Sequence, residues 1–188
     1  MENETLKKIC NFGDSCIDYV DSGKFFRHPV KILYYLLSIV TLILPIATLI
    51  NLIDIWDWIS AEYIIMHFIY IFIGLFIAIC SFYLWVKRAK ALNFDITDNS
   101  RFIAIPLLAN ILQTIGEWAF ITIGIGGFLI ALISMFFEIN NIIGIGAVIA
   151  MPISGYLTCL FMRYLAETIK AIANIANNTD TISKNLNK

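Results

Sequence analysis

From Ile32 onward the chain is written in long apolar runs with short polar interruptions. The runs do not alternate as a half-buried strand would, and stretches of about 20 apolar residues match one helical crossing of a bilayer. Four crossings are expected, at 32–53, 63–86, 118–137 and 142–162. The fold class is therefore an all-α integral membrane protein with four transmembrane helices, a cytoplasmic amphipathic N-terminal helix, an interfacial helix before the third span and a C-terminal helical extension.

The flanking regions have a different rhythm. In residues 1–30, Leu6, Ile9, Cys10, Gly13, Ile17 and Val20 recur three and four apart, with Lys7, Lys8, Asn11, Asp14, Asp18 and Asp21 opposite them. That is the pattern of an amphipathic helix whose polar face mixes both charges. No basic start, short apolar core and small-residue cleavage site occur together there, so a removable signal peptide is not expected. Pro45 falls within the first span, where packing at a kink is the plainer reading and Thr41 is a candidate to cover the freed carbonyl.

The run from Phe102 to Phe137 is too long for one upright crossing. As a helix it reaches about 54 Å, against a hydrocarbon core of about 30 Å. Asn110, Gln113, Thr114 and Glu117 interrupt it at i, i+3, i+4 and i+7 and so share one face. This narrow polar stripe suits an interfacial helix over the second half of 87–117, with Gly116 as hinge and the crossing proper starting at Trp118. The alternative is one tilted, kinked helix with Glu117 in the membrane, where an ionisable group costs at least ~2.5 kcal/mol and reads as functional. No second carboxylate, Lys or Arg within the spans matches its depth.

Gly146, Ala150 and Ser154 lie four apart on the fourth span, with Gly127 and Ala131 as a matching pair on the third. Small residues at this spacing let two helices approach closely, so these five positions are the expected packing seam of a helical hairpin. His67 lies just over one turn inside the second span. A histidine can act as a proton switch, but without a carboxylate three or four residues away its plainer role is a hydrogen bond to a neighbouring helix. Beyond the fourth span, 163–188 should continue as a cytoplasmic helix and tail. There Arg163 pairs with Glu167 at i, i+4, and Leu165, Ile169, Ile172 and Ala176 form an apolar seam.

Composition agrees with lipid: 60 % of the 188 residues are hydrophobic and 14 % charged, against about a quarter charged in soluble domains. The placement of charge adds orientation. All 13 Lys and Arg fall in the N-terminal segment, the connection after the second span and the region after the fourth. The positive-inside rule then places both ends in the cytoplasm and the protein, multi-pass, in the plasma (inner) membrane. Abundant Ile and Asn fit an AT-rich bacterial genome.

Chemistry is sparse. Cys10, Cys16, Cys80 and Cys159 have no metal-ligand or redox spacing. No phosphate loop, zinc-protease helix or nucleophile elbow occurs, and no pair of acids shares one helical face within the spans. The expectation is no enzyme, no metal, no cofactor and no nucleic-acid partner. The favoured function is a membrane-embedded scaffold or interaction subunit that presents helices to an unknown cytoplasmic protein or to copies of itself as a homo-oligomer. The other reading is an oligomeric pore lined by the polar stripe of Asn110, Gln113, Thr114 and Glu117 or by the glycine seam.

Overall fold

The computed structural model describes Ser15 and residues 24–55, 60–92, 104–136 and 141–186. The amphipathic pattern of residues 1–23 lies outside the described residues, apart from Ser15. Every described element is helical. Helix α1 is Lys24–Ile55 and α2 is Ala61–Ala91. Helix α3 is a continuous rod of three pieces: Ala104–Ala119, a π-helical stretch Phe120–Gly126, and Gly127–Phe136. Helix α4 is Asn141–Leu186, 46 residues long.

Four of these rods are long and apolar enough to cross a membrane, as a multi-pass membrane protein requires. In lipid a backbone has no water to bond, so helices that satisfy their own amides are favoured throughout each apolar run. Hydroxyl side chains fold back on the same ladder. Ser38 donates to the Tyr35 carbonyl at 2.7 Å, and Thr48 donates to the Pro45 carbonyl at 2.7 Å. Thr41 donates to Ser38 at 2.8 Å, so its hydroxyl is turned away from the carbonyl that Pro45 leaves unbonded.

The rods form two antiparallel hairpins. Helix α1 packs along α2, with Tyr34 against Trp85 at one end, their ring centroids 5.3 Å apart. All three pieces of α3 pack along α4. The hairpins meet through α2 and α3, which run antiparallel from the contact of Trp85 with Trp118 to that of Tyr70 with Ser134. The start of α1, the end of α2, the start of α3 and the outer half of α4 therefore share one end of the bundle. That end carries the described basic residues and a buried cluster of Tyr34, Trp85, Ala89 and Leu92, against which Leu107 and Ile111 pack.

The over-long run thus resolves differently from an interfacial helix hinged at Gly116. Gly116 is buried inside an unbroken helix, and its missing side chain leaves room for α4 to pack against it. A Cβ there would lie 2.8 Å from Met162 Cβ and 3.2 Å from the Cys159 backbone. The run's irregularity sits further on, in the π-helical stretch. Its glycines leave room for a widened turn, and Thr122 donates to the carbonyls of Trp118 at 2.9 Å and Ala119 at 3.4 Å. The Gly127 amide closes the stretch, shared among the carbonyls of Thr122, Ile123 and Gly124.

The packing seam also follows another line on α4. Gly146 has nothing within 4 Å of a built Cβ, and Ala150 and Ser154 are exposed on the same side. The helix turns Gly144 and Gly155 inward instead. Gly155 lies so close to Gly124 that a Cβ on it would be 2.5 Å from the Gly124 Cα and amide nitrogen. On α3, Gly127 packs against Met151 and Ala131 is buried. The same line continues outward through the buried Ala166 and Ala173; of the expected seam, Leu165, Ile169 and Ala176 are half-buried beside it and Ile172 is exposed.

Candidate functional site

The polar stripe of α3 meets side chains from three other helices at the basic end of the bundle. Its innermost member, Thr114, is fully buried. The hydroxyl of Thr114 donates to the Asn110 carbonyl at 2.7 Å, which leaves its oxygen to accept from the Tyr34 hydroxyl at 3.2 Å. Tyr34 is within the same distance, 3.2 Å, of the Asn110 side-chain oxygen. One phenol from α1 thus ties together two positions one turn apart on α3. A phenol suits this task because its ring can pack on Trp85 while its tip bonds.

One turn further along, Glu117 is gripped by Arg88 of α2. The Arg88 Nε donates to one carboxylate oxygen at 3.0 Å, and an Nη2 hydrogen is directed at the other. The side chains are 22 % and 37 % exposed, respectively, so the pair is half withdrawn from its surroundings. A guanidinium matches a carboxylate with two parallel bonds, a fit that a lysine cannot supply. The acid therefore does have a cation at its depth. Arg88 comes from the basic flank of α2, 29 residues earlier in the chain, and its register against α3 depends on how the hairpins pack.

Around this pair lies a small polar cavity of about 130 Å³, lined by Arg88, Gln113, Glu117, Cys159 and Arg163. Arg163 is held by Glu167 one turn along α4, at 3.2 Å. Two guanidinium groups and two carboxylates thus alternate from α2 through α3 to α4. The pair of Arg88 with Glu117 ties α2 to α3 in a setting where unpaired charge is costly, while the exposed pair of Arg163 with Glu167 stays within α4. Cys159 and Glu117 line the same cavity, but among the described residues no hydrogen bond joins thiol to carboxylate and no three His, Cys, Asp or Glu side chains gather as metal ligands.

His67 stands apart from this site. Its Nδ1 is 2.8 Å from the Tyr63 carbonyl one turn earlier. The 21 residues of α2 between it and Arg88 correspond to about 31 Å. It lines instead an apolar cleft of about 350 Å³ among α1, α2 and α3, with Thr41, Thr48 and Tyr70.

Asn110, Gln113 and Glu117 are thus brought together, joined by Arg88, Tyr34 and Arg163. Arg88 is the partner that sequence reasoning missed. Its signal was Glu117 itself, since an acid inside an apolar run calls for a cation and Arg88 is among those flanking the neighbouring span. Comparisons with family models, with curated proteins and with solved structures found no match.

Proposed function

We propose that this chain is a membrane-embedded scaffold or interaction subunit, with both ends in the cytoplasm, which holds α4 out from the bundle as a docking helix. The observation that carries this reading is the reach of α4. Its 46 residues span about 69 Å, more than twice a hydrocarbon core of about 30 Å. Its antiparallel register against α3 uses up the start of α3 near residue 174. Beyond that point Ile175, Ile182 and Leu186 stay exposed, and with Ile172 and Thr179 they follow the 3-4-3-4 spacing of a helix-pairing face.

The polar stripe supports the same choice over an oligomeric pore. Asn110 and Thr114 are engaged with Tyr34, and Glu117 with Arg88, so the stripe faces inward to neighbouring helices of its own chain. A pore lining would have to give up those bonds.

The test is the mass of the detergent-solubilised complex, for the full chain and for a chain ending at Asn174. A scaffold predicts a full-length complex heavier than one chain, by a second copy or a stoichiometric partner, and a single-chain mass after truncation. A single-chain mass for both forms would overturn it. So would steady conductance of the purified protein in planar bilayers that Glu117→Gln alters.

A further inference from the structure

The face between α2 and α3 opposite α1 holds a second, larger recess, away from the docking helix and independent of its role. It is a groove of about 470 Å³ with Phe76, Cys80 and Leu84 on one wall and Ile121 and Ile125 on the other. The groove exists because the hairpins are joined only along a narrow contact and because the π-helical stretch of α3 forms its second wall. At its outer end the lining changes to Lys87, Arg88 and Glu117. The ion pair of Arg88 with Glu117 offsets one charge of each sign. Lys87 remains, exposed and in no ion pair among the described residues, so the mouth carries a net positive charge.

Length and polarity together define the occupant. From Lys87 to Phe76 is eleven residues of α2, or about 16 Å, close to half of the ~30 Å hydrocarbon core. The groove thus runs from headgroup depth to the bilayer midplane, apolar along its length and cationic at its mouth. Tyr83, one turn in from Lys87, places an exposed phenol near the same level. We infer that this groove binds one anionic phospholipid from the leaflet at the basic end of the bundle, with an acyl chain along Phe76 to Leu84 and the phosphate at Lys87. Basic recesses between membrane helices recognise anionic headgroups in this way.

The experiment uses native mass spectrometry of the purified full-length protein. The protein is offered phosphatidylglycerol and phosphatidylcholine with identical acyl chains in equal amounts. The expected result is a one-to-one adduct that favours phosphatidylglycerol about fivefold, the ratio that ~1 kcal/mol from one lysine gives. Lys87→Gln should bring the ratio to about one while leaving the lipid-free melting temperature unchanged. Lys90→Gln, which removes a cation at the level of the mouth that does not line the groove, should leave the ratio as in the wild type. Cys80→Trp, which fills the groove, should abolish retention of both lipids. Equal retention of the two lipids by the wild type would overturn the inference. So would equal loss of preference in the two lysine variants, which would mark general surface attraction, or a dimer that Cys80→Trp disperses, which would mark a second copy as the occupant.

Discussion

Single side chains at the basic end of the bundle carry unequal weight, and their surroundings say which matters. Tyr34→Phe removes the bonds to Asn110 and Thr114 but keeps the ring on Trp85. The expected cost is about 0.6–1.7 kcal/mol, the range for hydrogen bonds between membrane helices, read as a lower melting temperature in detergent. Arg88→Gln strands the Glu117 carboxylate. Because both side chains are partly exposed, the loss should be about 2 kcal/mol, less than the ~3–5 of a fully buried pair. The exchange Arg88→Glu with Glu117→Arg should recover most of it; a double variant as unstable as the sum of the singles would mean that the pair does not couple. Trp85 presents the opposite case. Its indole N–H is buried with no acceptor among the described residues. Trp85→Phe should therefore be nearly neutral, since relief of an unsatisfied donor, worth about 1–3 kcal/mol, offsets the smaller ring.

At the scale of elements, α3 and α4 depend on where side chains are missing. Gly155→Ala drives a methyl into the Gly124 backbone, and backbone cannot rotate aside as a side chain can. An overpacking cost of about 2 kcal/mol is expected. Gly146→Ala meets open space and should be neutral, or stabilising by up to ~1 kcal/mol from helix propensity. Comparing the two melts tests which line of α4 is the true seam. That line was hidden in the sequence for a physical reason. Gly146, Ala150 and Ser154 and the inward-facing Gly144 and Gly155 are both small-residue patterns on one helix, and only the packing angle chooses between them. The four apolar helices, by contrast, were legible, because lipid imposes length and apolarity on each run separately. The continuity of α3 was not. Gly116 and a polar stripe resemble a helix break until Arg88, Tyr34 and α4 supply the partners that let the helix carry on. Nor was the π-helical stretch legible, since it is set by the approach of Gly124 to Gly155 as much as by its own glycines.

For the whole molecule, the two antiparallel hairpins put the start of α1 and the end of α4 at one end of the bundle, together with the described basic residues. Under the proposed orientation that end is cytoplasmic. Single cysteines placed at Ser60 and at Lys184 in an otherwise cysteine-free chain should behave oppositely toward a membrane-impermeant thiol reagent added to intact cells. Ser60→Cys should react and Lys184→Cys should be protected until the cells are opened. Reaction at Lys184→Cys in intact cells would reverse the topology and place the docking helix outside.

Helix α4 also contains Pro152, which withdraws an amide from the backbone ladder just before the Gly155 contact. The contacts of Met151 with Gly127 and of Gly155 with Gly124 flank that gap, so α3 splints α4 at the turn where its own ladder is interrupted.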